Sequence, residues 1–167
     1  MERLFSSKED RDQFVNNILK EGRCDWLYEE LKKHDNPHGN QLAWALSAVC
    51  DRENQWFEKH RDDIVVWLPN VKTQGIKRSV LRSVVPLPLS VEKEGEWVDY
   101  LFELTQNTET DIAVKVHAIE ILSKYVIRYP ELANELYLIL EDNLPYYGPA
   151  LKSRSKKVMK KLTKVLY

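Results

Sequence analysis

Apolar residues recur every three or four positions through most of this chain, and its breakers fall between the recurring runs. The segment SSKEDRDQFVNNILKEG opens with Ser7 three residues before Asp10, a capping-box-like start. It stops at Gly22, whose missing Cβ permits a left-handed C-cap. CDWLYEELKKH follows and ends at the turn DNPHGN, where Pro37 and Gly39 oppose continuation. Further helices are predicted at QLAWALSAVCDR, QWFEKHRDDIVVWL, GIKRSVLRSVV, EGEWVDYLFELTQ, TDIAVKVHAIEILSKYVIRY, PELANELYLILEDNL and ALKSRSKKVMKKLTKVL, nine in all. No run alternates with period two for long, and the β-branched IVVWL is absorbed as the end of a helix. VVPLPLS, with Pro86 and Pro88, reads as an extended connector because the residue before each proline is pushed out of the α region. The fold class is all-α.

Three of these helices align. AVKVHAIEIL from Ala113, ALKSRSKKVM from Ala150 and GIKRSVLRSV from Gly75 superpose Val114 on Leu151 and Ile76, Lys115 on Lys152 and Lys77, and Ala118 on Ser155 and Val80. The offsets are 37 and 38 residues, and each aligned helix is preceded by another amphipathic one. A period of this size filled by two antiparallel helices means that each pair buries its apolar faces against the next, giving a right-handed α-α superhelix. The pair CDWLYEELKKH and QLAWALSAVCDR reads as an earlier, weaker copy in which Trp44 takes a packing position, and the leading helix, Lys8 to Glu21, caps the stack. Across TDIAVKVHAIEIL the apolar positions fall on more than one flank, as expected of a helix packed on several sides. In the final helix Leu151, Val158, Leu162 and Val165 form one stripe, and lysines fill the remainder.

At these residues the chain resembles HEAT-like and armadillo-like repeats. Their second helix follows D-x-x-x-V-R-x-x-A-x-x-x-L, and TETDIAVKVHAIEIL keeps its V-[KR]-x-x-A-x-x-x-L portion. Lysine replaces the usual arginine, and the copies from Gly75 and Ala150 lack a clear aspartate ahead of it. The chain as a whole resembles short stand-alone bacterial HEAT-like proteins. The mobile-loop motif of adenylosuccinate lyases, roughly S-S-x-M-P-x-K-x-N, has no counterpart, since Ser6-Ser7 runs on into KEDR. The resemblance implies an α-solenoid of about nine helices, a single domain over residues 1–167.

Composition agrees with a compact helical protein: 43% hydrophobic residues, 31% charged and only 5 glycines in 167 residues. A formal net charge of −1 excludes polyanion binding through bulk charge, so any such activity needs the cations gathered on one side. They are gathered by helix. First helices carry Glu92, Glu94, Glu96, Asp99 and Glu103, then Glu131, Glu135, Glu141 and Asp142; second helices carry Lys77, Arg78 and Arg82, then Lys115, Lys124 and Arg128. Seven basic residues and no acidic one follow Asp142. In HEAT-like stacks second helices line the concave side, so the resemblance implies a basic inner groove. The alternative reading is that the C-terminal lysines keep an open end soluble.

Cys24 and Cys50 have no CxxC spacing and read as buried thiols of a reducing compartment. MERLFSSKED lacks the apolar core of a secretory signal, and no stretch is long enough to span a membrane, so the cytoplasm is the expected location. His34 and His38 straddle a loop and lack the one-turn geometry of paired zinc ligands; His34 reads as a helix end and His117 as a packed histidine. No nucleophile elbow, Cys-His pattern or phosphate-cradling glycine loop occurs, and no cofactor or metal is expected. The expected function is a non-enzymatic interaction module holding an acidic protein or peptide through Lys77, Arg78, Arg82, Lys115 and Lys152. The alternative is a nucleic-acid-binding or DNA-glycosylase-like HEAT protein, for which Trp44, Trp67 and Asp51 are of the right type, although core packing suits both tryptophans.

Overall fold

A computed structural model describes residues 3–33 and 36–167; His34 and Asp35 lie outside the described residues. The helices are α1 (Lys8–Lys20), α2 (Cys24–Lys32), α3 (Gly39–Arg52), α4 (Asn54–Phe57), α5 (Arg61–Trp67), α6 (Gln74–Val84), α7 (Glu94–Gln106), α8 (Ile112–Arg128), α9 (Leu132–Asn143) and α10 (Pro149–Leu166). No strand occurs among the described residues. All nine predicted helices are present, the fourth divided into α4 and α5 by a tighter 3₁₀ turn at Glu58–His60. The chain divides into two compact units, Met1–Ser90 and Val91–Tyr167.

In the first unit α1 begins as its sequence requires. The Ser7 side chain accepts the Asp10 amide at 3.1 Å, and Asp10 Oδ2 in turn accepts the Ser6 hydroxyl at 2.8 Å. The helix ends where Gly22 takes φ +65 and Arg23 N–H donates back to the Ile18 carbonyl at 2.9 Å. The segment before α1 is pinned to α3 by Gln41, which accepts the Leu4 amide at 2.8 Å and donates to the Phe5 carbonyl at 2.7 Å. α3 is the centre of this unit: it packs on α1, α2 and α6, and buries Leu42, Ala45, Leu46 and Val49. Two glycines let its start approach α6. A Cβ on Gly39 would lie 3.0 Å from Ile76 Cδ1, and one on Gly75 would collide with the Asn40 side chain.

Trp44 departs from the sequence expectation. It is 38% exposed, because Leu42, Leu46 and Val49 form the buried stripe and Trp44 is turned away from it. Phe5 covers one side of its ring at 5.5 Å between centroids, and the Arg11 guanidinium lies 4.4 Å from the ring centre. Trp67, by contrast, is a core residue. The Pro86/Pro88 connector is the expected non-helical segment; Leu87 and Ser90 are buried along it, and Ser90 Oγ donates to Asp62 at 2.6 Å.

In the second unit α8 packs on α7, α9 and α10. That accounts for its buried residues Val114, Ala118, Ile119, Ile121, Leu122, Tyr125 and Val126, which cover far more than one face. α10 buries only Leu151, Ser155, Val158 and Leu162, a single stripe. Glu94 at the start of α7 accepts Arg128 Nη1 from the end of α8 at 2.9 Å, and also accepts the Tyr129 hydroxyl. Each of the two helix dipoles thereby meets a complementary charge.

Two stability changes follow. Ser155 is fully buried and its hydroxyl has no hydrogen-bond partner, where the aligned position in α8 is Ala118. Ser155→Ala is therefore expected to raise the unfolding free energy by about 1 kcal/mol in urea titration. Gly22→Ala is expected to lower it by about 1 kcal/mol, since the left-handed backbone is kept only at a steric cost.

Candidate functional site

The three aligned lysines occupy the same turn of their helices. Each is the fourth helical residue, and its amide donates to the carbonyl of the N-cap: Lys77 to Thr73 at 3.2 Å, Lys115 to Asp111 at 3.0 Å, Lys152 to Gly148 at 2.9 Å. All three are half-buried. A cation near a helix N-terminus gains nothing from the dipole, so the recurrence of lysine there is not explained by helix electrostatics. Arg78 and Arg82 lie one turn apart on the exposed side of α6, and Arg82 Nη2 donates to Asp51 Oδ2 on α3 at 3.1 Å. Lys77, Arg78 and Arg82 thus belong to the first unit, Lys115 and Lys152 to the second.

The second unit also holds a basic groove between α8 and α10, about 350 Å³ in volume and lined by Glu120, Ser123, Arg154, Lys157, Val158, Lys160, Lys161 and Lys164. Its one carboxylate, Glu120, is engaged by Arg154 Nη1 at 2.9 Å. Sequence reasoning counted these lysines toward a basic inner groove, with solubility as the alternative, and did not name them as contact residues. The signal was the i, i+4, i+7 spacing of Lys157, Lys161 and Lys164, which puts them on one side of α10 beside the buried stripe. The first helices of this unit line a separate shallow groove with Asp99, Glu103 and Glu135, so the segregation of charge by helix is realised in space.

The densest polar cluster is in the first unit, and it was not foreseen. Asp25, Tyr28 and Lys32 recur on one face of α2; Trp56, Lys59, His60, Asp63 and Trp67 recur on the facing side of α4, the 3₁₀ turn and α5. Tyr28 Oη donates to Asp63 Oδ2 at 2.6 Å and accepts from Trp67 Nε1 at 2.8 Å, while Lys32 Nζ lies 2.8 Å from Asp63 Oδ2. His60 stacks on Tyr28 with ring centroids 3.7 Å apart, and its Nε2 is 3.3 Å from Asp25 Oδ1. Asp25 also accepts Trp56 Nε1 at 2.8 Å and Lys59 Nζ at 2.9 Å.

The protonation states fit a helix-to-helix lock. Burial, reinforced by the Asp63 carboxylate, raises the Tyr28 phenol, which stays neutral. Burial raises Asp63, but the hydrogen bonds from Lys32 and Tyr28 outweigh it and leave the carboxyl below its usual range. The Lys59 and Trp56 donors lower Asp25. Burial lowers His60 despite the nearby Asp25. Every member is matched to a partner within the cluster, an arrangement that fixes α2 on α5. Elsewhere, burial pushes the Cys50 thiol up to about 12, and Cys24 is also a free thiol. No group of three or more His, Cys, Asp or Glu among the described residues is placed to hold a metal ion. No helix among them is long and apolar enough to cross a membrane.

A family model described as a HEAT repeat domain matches residues 4–162. The chain belongs to this family. Comparison with curated proteins and with solved structures returns no match. HEAT repeats mediate protein interactions, and a HEAT repeat domain is in this sense an interaction scaffold.

The His60 geometry carries a pH dependence. A histidine whose folded pKa is depressed binds its proton more readily when unfolded, so its contribution is complete above the unfolded value of about 6.5 and is lost as pH falls below it. The unfolding free energy should drop by up to about 1.4 kcal/mol per pH unit below that point, down to the folded pKa. His60→Phe, which keeps a ring on Tyr28 but cannot titrate, should flatten the profile measured by urea unfolding between neutral and mildly acid pH.

Proposed function

We infer that this HEAT repeat protein is a non-enzymatic interaction module whose second helices hold an acidic protein or peptide. The observation that carries the reading is the recurrence of a half-buried lysine at the fourth position of α6, α8 and α10. A cation repeated at one helical position, in each unit by itself, complements an acidic partner and speeds its encounter. The contact residues are Lys77, Arg78, Arg82, Lys115 and Lys152. Arg82 is in part neutralised by Asp51, so Arg78 and the three lysines contribute most. The acidic first helices disfavour a second acidic surface against the other layer, which directs the partner to the second helices.

The test is fluorescence anisotropy with a labelled glutamate-rich peptide and, in parallel, labelled duplex DNA, each over a salt series. The wild-type chain should bind the peptide at low salt. Joint substitution of Lys77, Arg78, Arg82, Lys115 and Lys152 by Gln should weaken it severalfold, at about 0.2 to 1 kcal/mol per exposed charge. Tighter binding of DNA than of the peptide, with a log–log salt slope near −3.6 for about four phosphates, would transfer the function to nucleic-acid binding.

A further inference from the structure

We propose that the groove between α8 and α10 is a binding site for an extended acidic peptide segment, held by Lys157, Lys161 and Lys164 with Lys160 at its edge. The proposal deepens the interaction reading given above and rests on it. Among the described residues none of these four lysines pairs with a carboxylate. The only acid lining the groove, Glu120, is already occupied by Arg154. The groove therefore presents four uncompensated ammonium groups in a volume of about 350 Å³.

Solubility alone does not explain this composition. An exposed helix face is kept soluble by charges of either sign, and added Asp or Glu serves better than added Lys or Arg. Yet the chain has seven basic residues and no acidic one after Asp142. Five of the seven, Arg154 among them, line one groove. Self-repulsion among lysines a turn apart on a helix costs a few tenths of a kcal/mol per pair, a cost that an anionic ligand removes.

Shape selects the ligand further. Lys157, Lys161 and Lys164 fall about 6 and 10 Å along the axis of α10, at 1.5 Å per residue. Alternate residues of an extended peptide point to one side about 6.7 Å apart, close to the step of about 6 Å from Lys157 to Lys161, and the flexible lysine stem takes up the shorter step of about 4.5 Å to Lys164. No aromatic side chain lines the groove, so bases have no platform to stack on, and its one guanidinium is taken by Glu120. That leaves carboxylates as the ligand chemistry, with Val158 as the apolar floor.

The experiment compares the full chain with Lys157→Glu/Lys161→Glu/Lys164→Glu and with the corresponding Gln triple, using a labelled peptide of alternating glutamate and threonine. All three lysines are exposed, so circular dichroism and melting should match the wild type. The Glu triple is expected to weaken binding about tenfold or more at low salt, and the Gln triple by less, as the sum of three exposed charge contacts. Binding by the Glu triple within about twofold of wild type overturns the groove and leaves the general reading standing if the Gln substitutions at Lys77, Arg78, Arg82, Lys115 and Lys152 still weaken the peptide. Absence of peptide binding by the wild type overturns both. Preferred binding of duplex DNA, or a concentration-dependent dimer dissolved by the Glu triple, also overturns the proposal by assigning the groove a different occupant.

Discussion

A pair of helices has more apolar surface than it can hide within itself, and each second helix here is buried only as far as its neighbours reach. α8 is enclosed by α7, α9 and α10 and is apolar around most of its circumference. α10 has α8 and α9 beside it, and its buried residues shrink to one stripe. The exposed surface of α10 is polar, and exposure alone would accept any mixture of charges. The choice of lysine throughout is what the covering constraint leaves unexplained, and it is there that function enters.

The two units solve the same packing problem with different materials. In the second, first and second helices meet through aliphatic and aromatic side chains such as Leu101, Leu104, Ile119 and Leu122. In the first, α2 and α5 meet through a hydrogen-bonded set in which Tyr28, Trp67, Asp63 and Lys32 satisfy one another. Such a set is less stabilising than the same volume of apolar contact, but it admits only one register, because sliding α2 by a turn would strand the Tyr28 hydroxyl and the Asp63 carboxylate without partners. The first unit therefore gains a defined alignment of its first helices where its repeat pattern is weakest.

The fold was legible because helical period, breakers and the 37–38 residue repeat are all local or nearly local signals. They placed Gly22 at a left-handed turn and put Lys77, Lys115 and Lys152 on one helical position, and in the structure each donates its amide to its N-cap carbonyl. What was not legible depended on partners distant in sequence. Nothing near Trp44 reveals that Leu42, Leu46 and Val49 would take the core and leave its ring to Phe5 and Arg11. The cluster around Tyr28 joins residues more than thirty positions apart, and Glu120 is neutralised by Arg154, so the sign of the α8/α10 groove could not be read from α10 alone.

Net charge and local charge carry different information about this protein. At −1 overall it exerts little long-range attraction on a polyanion, and no single lysine on α10 would change that. Lys157, Lys161 and Lys164 nevertheless stand about 6 to 10 Å apart, comparable with a Debye length of about 8 Å at physiological salt, so their fields add within the groove and fade beyond it. A surface of this kind recruits only what can come close. The acidic segment proposed for this groove would come close by lying along it, and the same segregation places Asp99, Glu103 and Glu135 in another groove, where they do not cancel the lysines.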